Sequence, residues 1–232
     1  MTVLERASRV ALDLLFPPAC AICDRAGALV CHDCTSALPR AAGQRCVRCW
    51  MPERWPRDIC DHCDASPPSF ASARAACVLD GDARRLVHLL KYEGLTSLAA
   101  PMAILIADAH PPDAAIDLVV PVPLYRSRER ARGYNQAAVL ARALASRLSL
   151  PFDGRAARRT RNTAPLVKTM HREERLEIVR DAFSAALPRV DARHILLVDD
   201  VMTTGATLDA CARALLDARA ASVRCVTFAR AD

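Results

Sequence analysis

Apolar residues in this chain fall into two patterns. Continuous runs bounded by polar residues form the first, and Ile195-Leu196-Leu197-Val198, which ends at Asp199-Asp200, is the clearest of them. Such runs read as strands buried on both faces of a parallel sheet. Residues 73–79, 116–123 and 223–228 carry the same signature. The second pattern is helical, with apolar residues three or four apart. Leu86, Leu89 and Leu90 follow Asp82, a candidate N-cap. Leu98, Met102, Leu105 and Ile106 form a second face; Val139, Leu140, Ala143 and Leu144 a third; and Leu208, Cys211, Leu215 and Leu216 a fourth, on a helix over 206–218. Lys91-Tyr92-Glu93-Gly94 ends the first of these helices and Pro111-Pro112 breaks the pattern after the second. Strands alternating with helices predict an α/β fold with a parallel sheet and right-handed crossovers.

Two stretches lie outside that alternation. Val3, Ala7, Val10, Ala11, Leu14 and Leu15 share one helical face, so residues 1–16 read as a short helix packed on its own protein, with a membrane-surface helix as the alternative. Glu5 and Asp13 interrupt its apolar pattern, which argues against a signal peptide. No run of eighteen apolar residues occurs, so no membrane span is expected, and a cytoplasmic location is. Ser66-Pro67-Pro68-Ser69 is a natural boundary. These features divide the 232 residues into a helix at 1–16, a cysteine-rich module at 17–66 and an α/β domain at 70–232.

Cysteine usage defines the module. Eight of the eleven cysteines form four Cys-x-x-Cys pairs: Cys20/Cys23, Cys31/Cys34, Cys46/Cys49 and Cys60/Cys63. With no export signal, the pairs point to metal in a reducing compartment rather than to disulfides. Two intervening residues let both thiolates reach one tetrahedral ion at about 2.3 Å, and four thiolates with no open position describe structural Zn²⁺. The linking segments are too short and polar to build a core, so the metal must supply folding energy. Sequential pairing closes the shorter loops. A cross-brace, an iron–sulfur cluster and redox-active dithiols are the alternatives. His32 and His62 lie between ligand cysteines and read as solvated. Cys77, Cys211 and Cys225 read as small core residues.

The end of the 195–198 run carries the chemistry. Two carboxylates, then Thr203-Thr204-Gly205-Ala206-Thr207 and a helix start, sit where open α/β sheets bind ligands, with the acids placed just past the strand. Hydroxyls and backbone N–H groups at a helix N-terminus suit a phosphate monoester. The acids suit vicinal hydroxyls or a hydrated Mg²⁺. Earlier, the strand candidate at 116–123 runs into Arg126-Ser127-Arg128-Glu129-Arg130-Ala131-Arg132-Gly133-Tyr134-Asn135-Gln136, read as a basic loop before a helix. Guanidinium forks suit phosphate oxygens, although a solvated basic loop would look the same. Residues 158–183 suit a lid with a charged helix, in which Lys168 is the lone lysine. The formal charge of +6 is almost wholly arginine and is a weak argument for a nucleic-acid partner.

The segment 195–207 resembles the phosphoribosyl-pyrophosphate (PRPP) site of type I phosphoribosyltransferases. The resemblance implies that Asp199 and Asp200 hold the ribose hydroxyls. It implies that Thr203, Thr204, Gly205, Ala206 and Thr207 hold the 5′-phosphate. It further implies that Arg128, Arg130 and Arg132, with Lys91, receive pyrophosphate. Taken with the four cysteine pairs, Leu90-Lys91-Tyr92-Glu93-Gly94 and Pro121-Val122-Pro123-Leu124, the chain is similar to the ComF/GntX family. That likeness implies a double zinc ribbon joined to a parallel-sheet, Rossmann-like type I phosphoribosyltransferase-like domain, with Zn²⁺ at two structural sites and Mg²⁺ accompanying PRPP. It also implies a link to DNA uptake in natural competence. The family pattern carries a Gln near 166 and an Asn near 178, where this chain has Leu166 and Ile178. Three functions follow as expectations: a phosphoribosyltransferase, a non-catalytic competence factor binding single-stranded DNA or a helicase partner, and a PRPP-sensing regulator without turnover.

Overall fold

A computed structural model describes residues 17–53, 57–110, 115–162 and 181–231. The expected helix at 1–16, Pro111-Pro112, and Leu166, Lys168 and Ile178 with the charged helix around them lie outside the described residues. Four strands form one fully parallel sheet: β1 (Ser72–Val78), β2 (Leu118–Pro121), β5 (His194–Met202) and β6 (Ser222–Arg230), in the order β1-β6-β5-β2. Its central pair, β5 and β6, runs in register from His194↔Ser222 to Met202↔Arg230.

Strand periodicity sorts the side chains into two layers. Ile195, Leu197, Val223 and Cys225 enter one core with helix α8 (Ala206–Asp217) and the small hairpin of β3 (Ala157–Arg159) and β4 (Phe183–Ala185). Leu196, Val198, Val226 and Phe228 enter the other, beneath helices α3 (Gly81–Tyr92), α4 (Ala99–Ala109) and α6 (Gln136–Leu148). The helix stripes face these cores as the spacing predicts, with Leu86, Leu90, Met102, Ile106, Leu140, Leu144, Leu208, Cys211 and Leu215 buried. The result is the three-layer α/β architecture expected of a sheet covered on both faces.

Four expectations need correction. β5 continues through Met202, so Asp199 and Asp200 lie within the strand and not past it. The partner β6 is equally long and keeps pairing, whereas β2 ends with Pro121 opposite Val198. The acids therefore emerge beside the stopped edge of β2. The basic loop is helix α5 (Arg126–Arg132), which ends at Gly133 with φ +87°; nothing before Gly133 breaks a helix, and glycine accepts that left-handed turn. Asp82 does not cap α3: Asp80 holds the cap position without a side-chain hydrogen bond, because Gly81 (φ +44°) starts the helix two residues earlier than an Asp82 cap would. The strand candidate at 116–123 shortens to four residues. The lid region contributes the antiparallel β3–β4 stem, with Arg158 opposite Ser184.

The cysteine module, with short helices α1 (His32–Ala37) and α2 (Asp61–Ala65), rests on the sheet. Val78 N–H donates to Pro39 O at 2.7 Å and Ala41 N–H to Ala76 O at 3.1 Å, so the module covers the β1 edge that would otherwise be open. Ala73 N–H donates to Arg48 O at 2.6 Å, and the Arg85 guanidinium reaches Ile22 O at 3.1 Å. A short helix, α7 (Leu187–Val190), leads into β5.

Leu140 is fully buried between α6 and the sheet. Leu140→Ala is expected to cost about 2–5 kcal/mol, measured by chemical denaturation, with native-like circular dichroism retained.

Candidate functional site

Asp199 and Asp200 are consecutive strand residues, so their side chains leave opposite faces of β5. Asp200 joins the layer of α3 and α6. It is nearly buried and forms an ion pair with Lys91 from the last turn of α3, while Gln136 Nε2, at the start of α6, donates to its Oδ1 at 3.2 Å. The Gln136 carbonyl oxygen in turn accepts from Arg132. One network thus runs Lys91–Asp200–Gln136–Arg132 across three helices and a strand. Burial works against the Lys91 charge, but Asp200 and Asp199 outweigh it and hold its pKa above the usual lysine value. Asp199 lies on the other face, within the electrostatic reach of Arg159 from β3. Burial, then the neighbouring Asp200 charge, pushes the Asp199 carboxyl well above the usual carboxylate range.

Both acids line a cleft of about 220 Å³ together with Lys91, Arg128, Arg132, Gln136, Arg159 and Thr207. Of the four basic residues expected there, the structure brings Lys91, Arg128 and Arg132 to the cleft. Arg130 is exposed on the outer side of α5 and is not among the lining residues. Lys91 places its ammonium on Asp200 and not in open solvent. Arg132 also stacks 5.4 Å from the Tyr92 ring centre, and the Tyr134 hydroxyl donates to Leu90 O. Gln136 and Arg159 received no role from sequence reasoning. A glutamine immediately after an Asn cap, at a position the helix buries, was the available signal for Gln136: Asn135 Oδ1 accepts from Ala137 N–H at 3.0 Å.

The turn Thr203–Thr207 follows β5 directly. Gly205 adopts φ +83° and occupies the cap position of α8. A Cβ there would meet only ordinary contacts, Met202 Sδ at 3.8 Å and Phe70 Cζ at 3.9 Å, so backbone conformation and not space demands glycine. The Ala206 N–H lies 3.4 Å from Thr204 Oγ1. Asp209, in the first turn of α8, accepts from Ser69 N–H at 2.5 Å and anchors the helix to the segment that precedes β1. The α8 N-terminus therefore presents backbone N–H groups and hydroxyls beside the acids. Of residues 203–207, Thr207 lines the cleft, and Thr203 is exposed.

The cysteines gather in sequential sets. The sulfurs of Cys20, Cys23, Cys31 and Cys34 lie within 4.8 Å of one another, as do those of Cys46, Cys49, Cys60 and Cys63. The Cys23–Cys31 and Cys49–Cys60 sulfur separations are both 3.6 Å, close to the roughly 3.8 Å edge of a tetrahedron with about 2.3 Å zinc–sulfur bonds. Backbone N–H groups point at the sulfurs, from Cys31 to Cys20 Sγ and from Cys60 to Cys46 Sγ, each at 3.4 Å. Both sets fit structural Zn²⁺. They differ in exposure: every cysteine of the second set is buried, whereas Cys23 of the first is exposed. His32 is exposed, as expected of a solvated knuckle residue.

A double zinc ribbon model matches residues 11–64, and a phosphoribosyl transferase domain model matches residues 135–232. The DNA utilization protein YhgH of Salmonella typhimurium is 32% identical over 223 residues, which cover 91% of this chain and 96% of that protein. The chain belongs to the ComF family. Competence protein ComFC of Bacillus subtilis is 27% identical over 212 residues, covering 87% of this chain and 84% of that protein. Competence protein F of Haemophilus influenzae is 36% identical over 95 residues, covering 40% of this chain and 41% of its own. This ComF-family chain therefore joins a ribbon with two four-cysteine sites to a type I phosphoribosyltransferase fold. Among the described residues no helix is long and apolar enough to cross a membrane.

Two outcomes follow from this geometry. A zinc chelator should remove metal in two steps, the exposed first site before the buried second, read by stoichiometric colour change; release in a single step would contradict the difference in burial. Gly205→Ala should cost about 1–2 kcal/mol from the left-handed backbone alone, seen as a lowered midpoint in thermal unfolding.

Proposed function

We propose that this chain binds PRPP with Mg²⁺ and transfers its phosphoribosyl group. The observation that carries the reading is the meeting, in one cleft, of two carboxylates, three guanidinium groups and the start of α8. In this reading Asp199 and Asp200 accept hydrogen bonds from the ribose hydroxyls, one from each face of β5. Lys91 and Gln136 hold Asp200 in place. Backbone N–H groups and hydroxyls of residues 203–207 take the 5′-phosphate. Arg128, Arg132 and Arg159 surround the departing pyrophosphate, and Arg130 stands further out as a contact for approaching anions. Bound Mg²⁺ would neutralise pyrophosphate charge. In this reading the chain's contribution is positioning and electrostatic stabilisation. Zn²⁺ in the ribbon sites is structural in this account, and the reaction takes place in the cytoplasm.

The DNA-related names of the relatives add a second reading, a surface for single-stranded DNA or a helicase partner. A neighbouring cleft of about 550 Å³ favours it, because Arg126, Arg155, Arg158 and Arg159 all line it. Guanidinium groups in such number suit a polyphosphate backbone, with affinity falling steeply in salt. A gel-shift series in rising salt tests this reading, and absence of a shift at low ionic strength removes it.

Calorimetry with PRPP and Mg²⁺ tests the main reading. Binding is expected to the native chain and to be lost in the Asp199→Asn/Asp200→Asn double variant; equal binding by the two proteins would contradict it. The pH dependence has a definite sign. The raised folded pKa of Asp199 means that its neutral form persists to higher pH than in the unfolded chain. That stabilisation is full below the ordinary unfolded value and is lost as pH rises through the folded value. Hydroxyl donors favour the carboxylate, so binding should release a proton and tighten with rising pH until Asp199 is ionised. Titration in buffers of different ionisation heat reads that proton, and Asp199→Asn should abolish its release.

A further inference from the structure

Arg230 closes β6 and is the largest fully buried side chain among the described residues. It extends out of the α/β domain into the second cysteine knuckle. Its Nη1 donates to Cys49 O at 2.7 Å, and its Nη2 lies 3.3 Å from Met51 Sδ. The backbone at Cys49 and Met51 shapes that knuckle: Cys46 N–H donates to Met51 O and Trp50 N–H to Cys46 O, both at 2.9 Å. Burying a guanidinium is costly unless a buried opposite charge lies close by. A divalent ion with four thiolates is a dianion, and all four thiols of this set are buried. Near the first set the cations are exposed: Arg25 pairs with Asp33 at the surface, and Arg85 donates to Ile22 O at 3.1 Å.

The other end of Arg230 meets the end of β5. Its backbone is in register with Met202, and the next residue, Ala231, donates its N–H to Met202 O at 2.9 Å. Thr203 and the turn begin one residue later. Met202 Sδ is also the nearest side-chain atom to the Gly205 Cβ position.

We propose that Arg230 is an internal counter-cation of the Cys46/Cys49/Cys60/Cys63 metal site, beside the buried Arg45 that donates to Trp50 O at 3.1 Å, and the strut through which that site positions the turn at 203–207. Metal in the second ribbon then does more than fold the ribbon. It holds the guanidinium, the guanidinium holds the end of β6, and β6 holds Met202 at the mouth of the turn. The first ribbon is tied to α3 instead, through the exposed Arg85 guanidinium on Ile22 O. The inference rests on zinc occupying the second set; its importance for ligand binding rests on the function proposed above, but its test needs no ligand.

The test uses full-length, zinc-loaded protein, Arg230→Met and Arg230→Lys. Methionine keeps much of the length without the charge, and lysine keeps the charge without the fork. Groups just outside a metal's ligands change its affinity about 10–100-fold. Chelator-driven zinc release should therefore quicken about tenfold or more in the slow step for Arg230→Met, with the fast step unchanged. Arg230→Lys should fall between. Amide hydrogen exchange should rise in peptides spanning 46–63 and 202–207 and stay unchanged in 31–37. A slow step unaltered in Arg230→Met overturns the counter-cation. Faster release with unchanged exchange at 202–207 overturns the strut. If Arg230→Met does not fold, Arg230→Lys decides alone, and native values for both readouts overturn the proposal. None of these results depends on PRPP, so a failure of PRPP binding in the native chain is a separate outcome.

Discussion

Of two neighbouring carboxylates near the end of a buried strand, only Asp200 bonds the Lys91 ammonium, and this imbalance organises the cleft. Lys91 is spent on Asp200, where Gln136 completes the carboxylate's hydrogen bonding. Asp199, on the opposite face of β5, is left with burial and a like charge acting against its ionisation. Such an arrangement is costly when nothing is bound. It becomes favourable when hydroxyl donors and positive charge arrive together. The proposed ligand brings both, as a ribose diol and a metal-bound pyrophosphate.

The fold makes this arrangement by ending strands at different heights. β2 ends at Pro121, just before Val122, whose N–H donates to Val198 O at 2.8 Å, whereas β5 and β6 run on for four more residues. The exposed flank of β5 is where the acids meet α3, α5 and α6. On the other side β6 reaches past the sheet to the second cysteine knuckle. The ribbon is thus packed against the same strand pair that carries the site, and it also seals the edge at β1.

Much of this was legible in the chain. The run 195–198, the two acids and the turn after them needed only local pattern, because a strand buried on both faces has no polar alternation to obscure it. Spacing marked the eight ligand cysteines and loop length favoured sequential sets, but a cross-brace stayed open until the sulfurs were seen together. What failed to show was non-local or lacked an apolar stripe. The extent of β5 depends on β6, twenty-odd residues later. Helix α5 buries none of its residues, so its arginines carry no periodic signal and read as a loop. The three-residue strands of the β3–β4 stem are too short for alternation to register. Gln136 and Arg159 act through partners from other elements, and Arg230 looked like the polar end of an apolar strand until its guanidinium was seen against Cys49.

The claim most open to direct attack is that the acids recognise a vicinal diol. Equilibrium binding of ribose 5-phosphate against 2-deoxyribose 5-phosphate measures it, because the two share the phosphate and differ in one hydroxyl. The account predicts that loss of the hydroxyl weakens binding about tenfold or more, since it leaves a buried carboxylate oxygen without its donor, and that the difference vanishes when both aspartates become asparagine. Equal affinity of the native chain for the two sugars would contradict it.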